Sequence, residues 1–262
     1  MAPAVLNATL TGVLRSRLTA DRPTFIWHAG EPLLAGREFY ENAMRIVAEN
    51  NFEPRQCAHS IQTNATLVDR YWCDFFREHG FHVGVSLDGP AFLHDAHRRT
   101  WSGRGSHEAT MRGVRSLRQG GIPLSAICVL TKNSLPHAKD ILEFFLEEGF
   151  SSIAFNIEEA EGVHERSVLL NPASFDNTHM LYREFFETLY DHWLPYSERM
   201  RVREFSRVFD VIQARKRDSS YVCRPLQSRW FATITVSKDG DVFPHAAELA
   251  SAPGKQKARW SI

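Results

Sequence analysis

The sequence predicts an α/β protein, a full or partial barrel of parallel βα units followed by a smaller C-terminal α+β part. Three observations predict it. Short apolar runs alternate with amphipathic helical patterns along most of the chain. Polar residues follow the apolar runs, as they do at the carboxyl ends of barrel strands. Beyond residue 195 the pattern changes, and Lys238-Asp-Gly240 between two β-type runs predicts a hairpin.

The helical patterns begin at residue 3, because Leu6, Leu10 and Leu14 recur at helical spacing. Thr66-x-x-Asp69 resembles a capping box, Ser106 is a candidate N-cap, and Pro136 suits a first helical turn. The predicted helices cover residues 3–19, 37–50, 67–79, 106–119, 135–148 and 172–193. The predicted strands that they separate cover residues 24–27, 60–63, 82–87, 125–130 and 152–157.

Two domains are predicted, a barrel core over residues 1–197 and a C-terminal extension over residues 198–262. The extension contains a predicted helix over 201–215 and the hairpin, whose strands are predicted over 230–236 and 241–244. The polar segment from residue 251 is expected to fray.

The composition excludes several functional classes. The chain has 262 residues, 43% of them hydrophobic, which is ordinary for a folded soluble protein. Lys plus Arg and Asp plus Glu number 31 each, so no overall basic field favours nucleic acid as a partner. No apolar run approaches the roughly 20 residues of a membrane span, and the first residues lack a secretory signal. We therefore expect a cytoplasmic protein without membrane or nucleic-acid partners.

The four cysteines, Cys57, Cys73, Cys128 and Cys223, are far apart in the sequence. They form no CxxC or CxxxC pair, so they predict reduced thiols and no local metal or cluster motif.

Polar segments follow four of the predicted strands: WHAGEP (27–32), QTN (62–64), SLDG (86–89) and NIEE (156–159). Each alone is also compatible with an ordinary turn or solvated loop. Because the carboxyl ends of parallel strands share one rim, together they predict a site for a small zwitterion.

In that site the Glu31 carboxylate, beside the exposed backbone of Gly30, would hold an ammonium group. Arg98 and Ser86 would hold a carboxylate, and Asn64 would contact ribose hydroxyls or a backbone.

Two further segments are ambiguous. His94-Asp-Ala-His-Arg98 is compatible with a metal site, a surface helical turn, or placement of Arg98 at the rim. Gly103-Arg-Gly105-Ser106 opens a helix like a phosphate-binding turn, but lacks the P-loop Lys-Ser/Thr pair.

Taken together, the motifs resemble those of radical S-adenosylmethionine enzymes. The resemblance rests on WHAGEPL (27–33), IQTNATL (61–67), VGVSLDGPAFLHDAHR (83–98) and GRGS (103–106). The order is similar to that of peptide maturases with a SPASM-type C-terminal extension. FNIEEAEGV (155–163) and RVREF (201–205) are most similar to the cyclophane-forming members, which cross-link side chains of a ribosomally made peptide.

The resemblance implies a partial (β/α)6 barrel and S-adenosylmethionine as cofactor. By the matching motifs, Gly30 and Glu31 meet the methionine ammonium, and Ser86 and Arg98 bind the methionine carboxylate or ribose. Asn64 lies near the cofactor and Gln62 near cofactor and substrate. Three residues at the last strand, Asn156, Glu158 and Glu159, would contact substrate or adenine, and the two glutamates are candidate catalytic groups.

The sequence departs from the family where a CxxxCxxC loop follows the first strand and holds a [4Fe-4S] cluster. That loop is absent, as is the first strand, and His245 stands where the SPASM hairpin often carries Cys.

Three interpretations follow from this departure. The chain is a maturase without its cluster-binding segment, inactive as written, in which cofactor binding is weak or lost. Alternatively, it is a cluster-less relative that binds a peptide or assists a full-length maturase. Outside the family, it is a barrel hydrolase or isomerase using Glu158, Glu159 or Asp88 as acid and base.

Overall fold

The computed structural model describes most of the chain. The described residues are 1–19, 22–50, 57–158, 175–223, 232–243 and 260–261. Within these ranges no helix is long and apolar enough to cross a membrane.

Six parallel strands form the main sheet, in the order in which they occur along the chain. They are β1 Thr24–Trp27, β2 Ala58–Thr63, β3 Phe81–Ser86, β4 Ser125–Leu130, β5 Ser152–Ile157 and β6 Arg201–Val202. The five predicted strands are present, and the α/β fold with parallel pairing is confirmed. The sixth strand was not predicted, because two residues that lead directly into a helix carry no readable alternation.

Helices connect the strands, as sequential parallel strands require. They are α1 Pro3–Arg15, α2 Arg37–Asn50, α3 Arg70–Glu78, α4 Ala91–His97, α5 His107–Gln119, α6 Ala138–Glu147, α7 Phe175–Trp193 and α8 Arg203–Arg217.

Two helices begin later than the sequence predicts. The capping box at Thr66 was wrong, because Asp69 is itself the N-cap of α3 and its Oδ1 accepts from the Trp72 backbone N–H at 3.1 Å. Pro136 lies in a 3-10 turn, Leu135–His137, and α6 begins only at Ala138.

The two faces of the sheet differ in polarity. One face, which carries Ile61, Val83, Val85 and Ile153, is buried against the helices and forms the core. The opposite face is here called the inner face. Its residues alternate with the core residues along each strand and lie beside one another on neighbouring strands. Its members include Ile26, Ser60, Gln62, Gly84, Ser86, Ser125, Ile127, Val129 and Asn156. Several are polar and most are partly exposed, so among the described residues this face is not covered by a packed apolar core as the opposite face is.

The C-terminal part forms a separate antiparallel sheet of β7 Thr235–Val236, β8 Asp241–Phe243 and β9 Trp260–Ser261. The predicted hairpin about Lys238-Asp-Gly240 is confirmed for β7 and β8, and Gly240 takes a φ of 91° in the turn. The expectation that the end of the chain frays was wrong at Trp260–Ser261, which pairs with β8. His245 lies outside the described residues.

The predicted domain division at residues 197–198 stays a prediction. β6 belongs to the barrel sheet although it lies beyond that division, because Ile153 pairs with Val202.

Two histidines are buried in the core without a charged partner on the ring. His59 is 5% exposed and stacks on Phe25, Trp27 and Phe81, at centroid distances of 5.6, 6.4 and 5.0 Å. His94 is fully buried in α4. Burial disfavours the charged imidazolium and lowers the pKa of each histidine from 6.5 to about 4.

We expect the free energy of unfolding to fall as the pH is lowered from 6.5 to about 4. In that window the unfolded chain binds protons that the folded chain excludes, at a cost of about 3 kcal/mol for each histidine. Urea denaturation at several pH values measures this. We expect His59→Phe to reduce the dependence of the unfolding free energy on pH, and the exposed control His179→Phe to leave it unchanged. An unchanged pH dependence in His59→Phe would show that burial of His59 is not its cause.

Candidate functional site

The Glu31 carboxylate joins the ends of β1 and β2. Its Oε1 accepts from the Leu33 backbone N–H at 3.0 Å and from the Thr63 hydroxyl at 2.7 Å, and its Oε2 accepts from the Asn64 backbone N–H at 2.7 Å. A carboxylate has about four acceptor positions, so three are used and one remains on Oε2. Glu31 therefore acts as a bracket, meaning that its carboxylate links the loop after β1 to the end of β2. It can still accept one hydrogen bond from a ligand donor such as an ammonium group.

The loop that carries Glu31 is fixed by its backbone and by Tyr40. Ala29 and Gly30 both take positive φ, 77° and 60°, which turns the chain sharply after β1. The buried Tyr40 hydroxyl donates to the Pro32 carbonyl at 3.1 Å. Burial, and then the nearby Glu31 charge, raise the pKa of Tyr40, so the phenol stays protonated and keeps donating.

Asn64 follows β2 in a turn that its own side chain stabilises. Its Oδ1 accepts from the Thr66 backbone N–H at 2.9 Å and from the Thr66 hydroxyl at 2.8 Å. Its amide N–H₂ group has no acceptor among the described residues, so Asn64 offers donors and not acceptors to a ligand.

Gly113 supports this turn and was missed by sequence reasoning. A Cβ at Gly113 would lie 1.9 Å from the Ala65 carbonyl oxygen, so only glycine lets α5 approach the turn this closely. The available signal was a glycine inside a helical pattern, where it costs about 1 kcal/mol relative to alanine.

Gln62 and Ser86 form a polar pair on the inner face. The Gln62 amide donates to Ser86 Oγ at 2.9 Å. Gln62 lies over Gly84, where an added Cβ would come within 2.2 Å of its Oε1. The pair joins β2 to β3 and leaves the Ser86 hydroxyl proton available to a ligand.

Arg98 is held by Asp88, the residue that follows β3 by two positions. Arg98 Nε and Nη2 donate to the two Asp88 carboxylate oxygens at 2.5 and 3.1 Å, and Asp88 also accepts from the Val129 backbone N–H at 2.9 Å. The Arg98 side chain is 29% exposed, and its Nη1 has no acceptor among the described residues. Arg98 thus presents one free edge, and the engaged Asp88 is poorly suited to act as acid or base.

Arg203 and Glu204 close the end of β5, where β6 has already ended. Arg203 donates to the Phe155 carbonyl and, at 2.9 Å, to Asn156 Oδ1. Glu204 Oε1 accepts from the Phe155 backbone N–H at 3.2 Å, and the buried Glu204 Oε2 has no hydrogen-bond partner within the described ranges. These two side chains replace the strand that would otherwise pair with Phe155. Sequence reasoning noted the segment only as a motif.

The two candidate catalytic glutamates are placed unequally. The Glu158 backbone N–H donates to the Leu130 carbonyl at 3.0 Å, and its partly buried side chain is near Tyr182. Burial, and then the Glu158 charge, raise the pKa of Tyr182, whose buried hydroxyl has no hydrogen-bond partner in the part of the chain that the structure describes. Glu159 lies outside the described residues, so catalysis by this pair stays a prediction.

Hydrogen bonds thus join four predicted site residues in two pairs, and a fifth to Arg203, which was not predicted as a site residue. Glu31 contacts Asn64, Gln62 contacts Ser86, and Asn156 contacts Arg203. β1 to β4 are consecutive in the sheet, and the first two pairs and Asp88, which binds Arg98, lie at or just after the ends of these strands. That they form one binding site stays a prediction.

Residues 15–145, half of the chain, match the family model described as the radical SAM superfamily. The chain belongs to the radical SAM superfamily. It is 37% identical over 250 residues to an uncharacterized protein of Synechocystis, covering 94% of this chain and 61% of the relative. It is 28% identical over 229 residues to a cysteine-type anaerobic sulfatase-maturating enzyme of Clostridium perfringens, covering 84% and 58%. This radical SAM protein spans about three fifths of the length of these curated relatives.

Solved structures agree with the fold. Native anSMEcpe with bound AdoMet and Kp18Cys peptide superposes with a TM-score of 0.77 at 26% identity, covering 93% of this chain and 66% of that one. Streptococcus suis SuiB bound to precursor peptide SuiA superposes with a TM-score of 0.63 at 12% identity, covering 99% and 55%, and supports the fold alone.

The thiols of this radical SAM protein do not fit a [4Fe-4S] cluster. Cys73 and Cys128 are buried in α3 and β4, Cys57 is partly buried and Cys223 is exposed. Burial raises the pKa of Cys73 and Cys128, which disfavours the thiolate that binds iron. Among the described residues no group of three His, Cys, Asp or Glu side chains could hold a metal ion. The charged and polar groups of the rim, in contrast, fit the ammonium and carboxylate of a bound amino-acid moiety.

We expect Glu31→Ala to lower the free energy of unfolding by about 2–4 kcal/mol, because it leaves the Thr63 hydroxyl and two backbone N–H groups without their acceptor. Glu31→Gln retains one acceptor oxygen and loses less. Urea denaturation checks this, with exposed Glu38→Ala as the matched control, expected to change stability by under about 0.5 kcal/mol. Equal effects of the two alanine variants would show that Glu31 is no bracket.

Proposed function

We propose that this chain binds S-adenosylmethionine at the rim formed by β1 to β4 and a ribosomally made precursor peptide beside β5 and β6. One observation carries the proposal. The Glu31 carboxylate keeps one acceptor position and the Arg98 guanidinium keeps one donor edge on the same rim, and these are complementary to the two charges of an amino acid.

Each rim residue has a defined role in this proposal. Glu31 Oε2, beside Gly30, binds the methionine ammonium. Arg98 Nη1 and the Ser86 hydroxyl bind the methionine carboxylate or the ribose, and the Asn64 amide donates to ribose or peptide. Gln62 and Asn156 hold the neighbouring polar surface toward the peptide.

The peptide partner is supported by the relatives. The structure of anSMEcpe has both AdoMet and the Kp18Cys peptide bound. SuiB, a protein of the same fold, has the precursor peptide SuiA bound. Relatives of this chain include anaerobic sulfatase-maturating enzymes. The proposal that the peptide receives a cyclophane-type cross-link rests only on the resemblance of the segments FNIEEAEGV and RVREF to those of cyclophane-forming maturases.

In this superfamily, the cluster supplies the electron that cleaves S-adenosylmethionine. Since the thiols of this chain do not fit that cluster, we derive from its own residues only binding and orientation. The same observation favours a second candidate, a peptide-binding protein that assists a full-length maturase.

S-adenosylmethionine is expected to bind to the chain only weakly, on the order of millimolar, because about three charge-assisted contacts oppose the entropy of association. A titration followed by saturation-transfer NMR measures this. Ser86→Ala and Arg98→Lys, which lose a hydroxyl and the planar fork, should each weaken binding about tenfold or more, while exposed Arg112→Gln should not. Micromolar affinity, or equal affinity in all variants, would contradict the proposed site.

Anaerobic reconstitution with iron and sulfide is expected to leave the chain without a [4Fe-4S] cluster, because its four thiols are dispersed over the fold. The measurement is iron and sulfide content together with the visible absorption of the repurified protein. Stoichiometric iron with cluster absorption, lost in a Cys57→Ser or Cys223→Ser variant, would overturn the assignment.

A further inference from the structure

His94 is a fully buried histidine that has no part in the proposed function, and among the described residues no metal-binding group includes it. It lies in α4, between Asp88 and Arg98 in sequence. Both ring nitrogens are engaged: the Asp88 backbone N–H donates to Nδ1 at 3.3 Å, and Nε2 lies 3.0 Å from Ser106 Oγ.

The hydrogen bonds define the tautomer of His94. A backbone N–H only donates, so Nδ1 must accept. The Ser106 hydroxyl gives its proton to the Arg98 carbonyl at 3.0 Å, so Ser106 Oγ accepts from His94 Nε2–H. The ring is therefore neutral with its proton on Nε2. The burial that lowers the pKa of His94 to about 4 keeps it neutral at physiological pH.

These bonds close into a ring of four residues, Asp88, His94, Ser106 and Arg98. The path runs from the Asp88 backbone through His94 and Ser106 to the Arg98 carbonyl, and the Arg98 side chain returns to the Asp88 carboxylate. The Ser106 backbone N–H also donates to the Arg98 carbonyl, at 3.2 Å. Ser106 precedes α5 as predicted, but its hydroxyl serves this ring and makes no cap bond.

The adjoining turn is held against α4 in the same way. Asp95 Oδ1 accepts from the His107 backbone N–H at 2.8 Å, and a Cβ at Gly105 would lie within 2.1 Å of the Asp95 carboxylate carbon. The segment Gly103-Arg-Gly105-Ser106 is thus packed onto the helix that carries His94, so its serine and amide groups hold protein and not phosphate.

The ring fixes the backbone and the side chain of Arg98 together. The Arg98 carbonyl accepts from both the hydroxyl and the backbone N–H of Ser106, and the bond from His94 Nε2–H keeps that hydroxyl turned toward the carbonyl. Without the His94–Ser106 bond the hydroxyl is free to turn away, which leaves the Ser106 backbone N–H and the adjacent Arg99–Gly105 bridge to hold this part of the chain. A small rotation there would move a guanidinium that stands on a long side chain, and would change where its free edge lies.

We propose that His94 is a positioning residue, which acts through Ser106 to hold the Arg98 guanidinium in the orientation that receives the carboxylate of the bound cofactor. This rests on the proposed function, because it needs S-adenosylmethionine as the ligand of Arg98. A histidine with only a packing role would affect stability but not the mobility of Arg98.

Nitrogen-15 NMR of the whole chain tests the proposal with two separate readouts. The first is the Arg98 Nε–H signal, assigned by its loss in Arg98→Lys, which we expect to be sharp and protected from exchange in the wild type. The second is the dissociation constant of S-adenosylmethionine in the same samples. The His94 nitrogen shifts should be those of a neutral ring protonated on Nε2.

The variants separate the branches of the ring. His94→Asn retains an acceptor near Nδ1 but cannot reach Ser106, and Ser106→Ala removes the link from the other side. Both should broaden the Arg98 signal and weaken S-adenosylmethionine binding about tenfold. His94→Gln, whose amide can donate to Ser106, should restore part of both, and exposed His97→Asn in the same helix should change neither. An amide spectrum like that of the wild type shows that a variant folds. If a His94 variant does not fold, the Ser106→Ala variant tests the proposal in its place.

Three results would overturn the proposal. An Arg98 signal that stays sharp in folded His94→Asn and Ser106→Ala would show that the ring does not hold Arg98. A broadened Arg98 signal with unchanged affinity would show that its orientation does not matter to the ligand. The third result is that the Arg98 signal broadens in the His94 variants but the wild-type chain does not bind S-adenosylmethionine. The proposed function would then be wrong, and the positioning role for that ligand would be wrong with it.

Discussion

The bracket formed by the Glu31 carboxylate is the interaction on which the site depends. Parallel strands that end at one rim leave backbone N–H groups without ladder partners, and each must find another acceptor. One carboxylate accepts from the loop after β1, from the Thr63 side chain and from the backbone after β2. The ends of two strands are thereby held within hydrogen-bond distance of a single negative charge.

Other charged side chains along the rim also satisfy several backbone or side-chain groups at once. Asp88 binds both Arg98 and the Val129 backbone, and Arg203 with Glu204 satisfies the backbone of Phe155 after β6 has ended. The side chains of Glu31, Gln62 and Arg98 therefore each bind protein groups with some of their polar atoms and leave others for a ligand. Such commitment lowers the entropy that a ligand would otherwise have to remove, so a preorganised rim gains affinity from few contacts. It also means that a substitution at the rim changes stability and binding together.

The elements with strong local signals were predictable. β4 and β5 match the predicted bounds, because each is a compact apolar run between turns. β6 was not predictable, since its two residues are defined only by pairing with β5. Glu31 and Ser86 were predicted as site residues from their place at strand ends, and Arg98 from its charge and from the resemblance of the 83–98 motif. The pairing of Glu31 with Thr63, of Ser86 with Gln62 and of Arg98 with Asp88 depends on which strands are adjacent and on side-chain direction, which local sequence does not specify. The start of α3 was misplaced because the Thr66 N–H and hydroxyl donate to Asn64 Oδ1 in the turn after β2, and Asp69 caps the helix instead.

The most direct test of this account is a crystal structure of the chain soaked with S-adenosylmethionine at a concentration well above its dissociation constant. The account predicts the methionine ammonium on Glu31 Oε2 and the methionine carboxylate on Arg98 Nη1 and the Ser86 hydroxyl, with the Arg98–Asp88 and Glu31–Asn64 bonds intact. A ligand bound elsewhere, or one bound at the rim with its charges away from Glu31 and Arg98, would contradict it.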